Sequence, residues 1–113
     1  MRTDLRQMGL TPLTAVVVYL REPKEKVWGV LISFEQGGVV LRGLDLAVFD
    51  DWLRQEARGD EDLIAPTTIF YPMHRVERVE RDEGLGPIEG FAARFEREVG
   101  RSVLEAAGFV DGN

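Results

Sequence analysis

The chain contains no cysteine and a single histidine, His74. Without cysteine there is no disulfide framework and no thiolate chemistry. One histidine leaves a His-based metal site or a His-dependent triad with a single anchor. Long apolar runs are also missing, and a bilayer-spanning helix needs about 20 such residues. The first ten residues, MRTDLRQMGL, lack the extended apolar core of a secretory leader. A cytoplasmic protein that does not engage membranes is therefore expected. Positive charge is scarce: 14 Lys and Arg face 20 Asp and Glu, for a net charge of −6. Such a balance repels phosphate backbones, which disfavours nucleic acid and favours a protein or small-molecule partner.

What is present fits one domain over residues 1–113. The 113 residues are 44% apolar and 30% charged, enough for one core and too apolar for a disordered chain. The clearest pattern is KVWGVLISFEQGGVVLRGLD, Lys26 to Asp45. Trp28, Val30, Ile32 and Phe34 alternate, which predicts one buried face of an extended strand. Gln36-Gly37-Gly38 supplies a turn, and Val39 to Leu44 returns as the hairpin partner, with Leu41 also expected in the core.

Around this hairpin the chain divides into an N-terminal arm over 1–13, a β unit over 14–82 and a helical segment over 87–108. Ala15 to Arg21 is β-branched and continuously apolar, predicting a strand covered on both faces. Over 46–58 the period changes. Val48, Phe49, Trp52 and Leu53 recur at helical spacing, with Asp45 as expected N-cap and Gly59 just past the end. Pro66 to Tyr71 predicts a fourth strand stopped by Pro72. Val76 and Val79 are three apart. A tight turn over Pro72–Arg75 leading into a bulged or doubly covered strand reconciles them. Ile88, Phe91, Phe95 and Val99 form a helical stripe with Pro87 in its first turn, and Ser102 with Glu105 matches a capping box.

The curved hairpin of the second and third strands, with the tight turn between the fourth and fifth, resembles the small SH3-like barrels, including the Sm-like ones. The likeness spans roughly residues 14–82 and is one of fold. It implies a bent antiparallel five-stranded barrel, and with the helical periods read above the expected fold is α+β: that barrel, a helix inserted between strands three and four, and a C-terminal helix. Sm-like proteins bind RNA through an Asp-x-x-x-Asn-type turn and an Arg-Gly step. Arg42-Gly43 stands as the look-alike of the second, whereas Glu35-Gln36-Gly37-Gly38 at the first contains no asparagine. The same likeness admits assembly of the chain with copies of itself.

Catalytic chemistry finds little to work with. The acidic neighbours Asp50/Asp51 and Asp60/Glu61/Asp62 lie on a helix face and in a loop, and Gly84-Leu85-Gly86 lacks the third glycine of a dinucleotide fingerprint. No catalytic, cofactor-binding or metal-ligating residue is assigned, and no cofactor is expected. The reading that follows is a non-enzymatic interaction module, an adaptor or regulatory subunit of a cytosolic signalling or polarity complex. The alternative is an Sm-like RNA-binding ring. The candidate partner-binding residues are Arg75, Arg78 and Arg81, planar donors suited to carboxylates, with Phe49 and Trp52 as an apolar anchor.

Overall fold

The computed structural model describes residues 9–61 and 63–109. Five strands form a single antiparallel sheet: β1 (Ala15–Leu20), β2 (Glu25–Glu35), β3 (Gly38–Asp45), β4 (Thr67–Pro72) and β5 (Val76–Arg81). Their spatial order is β4-β3-β2-β1-β5. Three α-helices follow among the described residues: α1 (Phe49–Arg58), α2 (Phe91–Val99) and the single turn α3 (Val103–Ala106). The α+β class holds. A closed barrel is not shown: β4 and β5 end the five-stranded sheet on opposite sides and no ladder joins them. The sheet is nevertheless strongly bent, since one turn of 3-10 helix, Met73–Arg75, carries the chain from one end strand to the other. Ile69 and Tyr71 of β4 then pack in the same cluster as Val76 and Val79 of β5.

Each face of the sheet carries its own core. Inside the bend lie Val16, Val18, Leu20, Val27, Leu31, Val39, Leu41 and Val76. On the outer face Val17, Trp28, Val30 and Leu44 pack under Phe49, Trp52 and Leu53 of α1, Phe95 of α2, and Val103 and Ala107 around α3. Double coverage explains why β1 reads as an unbroken apolar run. The expected single face Trp28–Val30–Ile32–Phe34 is divided. A register shift between Leu31 and Ser33 makes Ile32 an extra residue, so Trp28 and Val30 face the helices while Phe34 packs inside the bend. Trp28, Val30 and Leu41 are fully buried, and Ile32 and Phe34 only partly.

A second shift, between Tyr19 and Leu20 of β1, sets Val76 opposite Leu20 and Arg78 opposite Tyr19. Glu77 is thereby skipped, and Val76 and Val79 reach the same core as a bulge requires.

The helix ends differ from expectation in detail. Asp45 makes no side-chain cap; a 3-10 turn over Leu46–Val48 intervenes before α1. Gly59 closes α1 in the left-handed region at φ 73°. Ile88 lies outside α2, in a tight turn where it and Leu85 exchange backbone hydrogen bonds. Ser102 gives no cap bond; Glu96 accepts from the Val103 amide instead, so the box with Glu105 does not form. Residues 1–8 of the N-terminal arm expected over 1–13 lie outside the described residues. Among those described, no helix is long and apolar enough to cross a membrane.

Candidate functional site: the uncharged edge of the sheet

Phe49 and Trp52 are each 1% exposed. Trp52 stacks on Phe95 with ring centroids 4.5 Å apart, and Phe49 meets the Trp28 ring edge-on at 5.1 Å. The apolar stripe of α1 is thus fully used against the sheet and α2, and neither ring is an exposed anchor. The expected aromatic half of the interface is corrected on that ground.

The three arginines do not form one patch. Arg75 donates to the Arg21 and Pro23 carbonyls and to Glu25 Oε1 at 2.8 Å, tying the β4–β5 turn to the β1–β2 turn. Arg78 lies opposite Tyr19, on the face that carries the helices, and its guanidinium sits 3.9 Å from the Tyr19 ring centroid. Its hydrogen bond to Glu80 raises its pKa, further fixing it as a cation. Arg81 lies opposite Val16, on the inner face, and pairs with Glu83. Alternation along β5 therefore sends Arg78 and Arg81 to opposite faces.

Other residues singled out in the sequence are also placed. Arg42 donates to the Ala107 carbonyl and, at 3.1 Å, to the Thr68 hydroxyl, so it binds the end of α3 to the sheet. Gly43 sits opposite Gly29, where a β-carbon would overlap the Trp28 carbonyl oxygen. The Arg-Gly step thus has a packing cause in this fold. His74 is exposed within the 3-10 turn. Asp50 pairs with Arg94 at 2.6 Å and Asp51 with Arg54. No group of three or more His, Asp or Glu residues able to hold a metal occurs among the described residues.

Two further surfaces bear on an interface. One is a groove of about 690 Å³ beside Tyr19, bounded by Lys26, Arg78, Glu25, Asp45 and Leu46. Its charges alternate in sign, and Lys26 and Arg78 both lie over the Tyr19 ring, the former at 5.6 Å. The other is the outer edge of β4. β1 (AVVVYL) and β4 (TTIFYP) are the two strands with no charged residue. β1 is interior and paired on both sides, as that composition demands. Among the described residues β4 is an end strand paired with β3 alone.

The opposite end strand, β5 (VERVER), has four charged residues in six, the ordinary protection of an edge against pairing with another chain. β4 has none. Phe70 at its centre is 57% exposed.

The uncharged stretch extends beyond the strand, from Leu63 to Met73. Gln55 holds its start: its side-chain oxygen accepts the Leu63 and Ile64 amides at 2.9 and 3.0 Å, and its nitrogen donates to the Ile64 carbonyl. Tyr71, on the inner face, has its pKa raised by burial and then by Glu25 and Asp45, so it stays a neutral phenol. The sequence pattern over 66–71 predicts a strand and nothing more. The signal that marks the edge is the gap in charge, but strand order is needed to tell an exposed uncharged strand from a buried one. No family model, curated protein or solved structure matches this chain.

Proposed function

We propose that this chain is a non-enzymatic protein-interaction module that accepts an extended segment along the outer edge of β4. The observation that carries the reading is the asymmetry of the two sheet ends, with β5 guarded by charge and β4 bare around an exposed Phe70. Strand addition to such an edge draws affinity from main-chain hydrogen bonds and specificity from alternate side chains. The RNA alternative is weakened by the engagement of Arg42 with Ala107 and Thr68, and by the net charge of −6.

The test is a displayed-peptide selection against the whole protein, followed by backbone NMR of the selected binders. Peptides rich in β-branched and aromatic residues should be enriched. They should shift the Thr68 and Phe70 amides and lose binding to Phe70→Lys. Binders that cluster instead around Tyr19 would move the interface to the groove, and tight binding of single-stranded RNA at physiological salt would overturn the protein-module reading.

A further inference from the structure

We infer that the strand accepted by β4 is β4 of a second copy of this chain, paired antiparallel about a two-fold axis at Phe70. This rests on the reading of β4 as a strand-accepting edge and names its occupant.

The phase of the ladder comes first. The Met73 amide donates to the Gly37 carbonyl, and Gly38 lies opposite Pro72. In an antiparallel ladder hydrogen-bonded and non-bonded pairs alternate. Tyr71, Ile69 and Thr67 therefore turn their backbone groups toward β3, while Thr68, Phe70 and Pro72 turn theirs outward. Proline has no N–H to offer.

Symmetry then restricts the register. A two-fold axis normal to the sheet keeps each face on its own side, so residues opposite each other must share a face. Phe70 lies on the helix-bearing face, opposite Val40, whereas Ile69 and Tyr71 belong to the inner core. Phe70 opposite the second copy's Phe70 meets this condition, with Ile69 opposite Tyr71 and Thr68 opposite Pro72. The central pair exchanges both its hydrogen bonds, and each Thr68 amide donates to a Pro72 carbonyl. Because Pro72 has no N–H to return, the Thr68 carbonyl of each copy is the one outward backbone group between Thr68 and Pro72 that this register leaves without a partner.

Side chains agree with the backbone. The two Phe70 rings form a cross-strand aromatic pair and cover the surface each leaves exposed. Two copies at −6 each repel, and a stretch free of charge from Leu63 to Met73 is where they approach at least cost. Pairing of β4 with β5 of another copy would instead bring an uncharged strand against VERVER and generate an assembly that need not stop at two.

The experiment is sedimentation velocity of the whole chain from about 1 to 300 μM, a span that brackets micromolar affinity. The mass should rise from 12.7 kDa to twice that value and no further. Phe70→Lys and Phe70→Glu should each stay monomeric with unchanged circular dichroism, and a 1:1 mixture should restore the dimer. That rescue requires residue 70 of one copy to lie close to residue 70 of the other, as it does beside a two-fold axis. Because the chain has no cysteine, Phe70→Cys offers a sole thiol. A short bifunctional thiol reagent should link it to a covalent dimer at concentrations where Leu63→Cys stays monomeric. That variant decides the matter if the charged pair fails to fold. A wild-type chain that stays monomeric throughout, a mass beyond two copies, or charge variants that dimerise alone would each overturn the two-fold. Selected peptides binding β4 of a monomer would overturn this inference while leaving the strand-accepting edge intact.

Discussion

Asp82 stands at the junction of the sheet and the helical layer. Its Oδ1 accepts the Phe91 amide at 2.7 Å, and its Oδ2 accepts the Ala92 amide at 2.7 Å and the Trp28 indole at 3.0 Å. One carboxylate thus caps α2 from outside the helix and gives the largest buried ring its polar partner. Hydrogen bonds to a charged group contribute about 1.5–3 kcal/mol, and loss of a cap costs about 0.5–2 kcal/mol. Asp82→Ala should therefore lower stability by roughly 2–3 kcal/mol in a urea melt, with Asp82→Asn losing less because one acceptor oxygen remains. A loss under about 0.5 kcal/mol would show that α2 is held by packing alone. In the sequence, Asp82 is one more charge in Arg75 to Glu83. Its role depends on Trp28, 54 positions away, and local pattern cannot supply such a partner.

At the scale of the element, boundaries were legible where turn chemistry is local. Gln36-Gly37, Pro72 and Gly59 end their elements within a residue of expectation because each limits the backbone directly. The split of the Trp28–Phe34 face was not legible. A bulge inserts a residue without altering composition, so strict alternation continues past it on paper while the strand has already changed face. The helix-bearing core was legible in its residues and not in its consequence. Phe49 and Trp52 read equally well as core or anchor until α2 is placed over them.

The bulge makes a sharp comparison available. Leu31 is 1% exposed inside the bend, whereas its neighbour Ile32 is partly exposed and belongs to neither core. Leu31→Ala should cost about 2–5 kcal/mol, the usual range for a buried leucine, and Ile32→Ala clearly less. Equal losses in parallel chemical melts would mean that the strand runs without the bulge and that its original alternation holds.

For the whole molecule, the consequence of two cores on one sheet is mutual dependence. A small barrel keeps its apolar residues inside and turns a polar surface outward, so it can stand without appendages. Here the outer face of the sheet contributes Val17, Trp28, Val30 and Leu44, and these are covered only because α1, α2 and α3 lie over them. Burial of such side chains stabilises by about 1.5–3 kcal/mol each, while the margin of a domain this size is only about 5–15 kcal/mol. Removing the helices beyond β5 would strip Phe95, Val103 and Ala107 from that core and uncover Trp28 and Trp52. A fragment ending at Asp82 retains all five strands and α1, yet it should lack a cooperative melt and the dispersed amide spectrum of a packed domain. A fragment that melts sharply, with Trp28 still shielded from a fluorescence quencher, would mean that the inner core is self-sufficient and the helical layer an accessory.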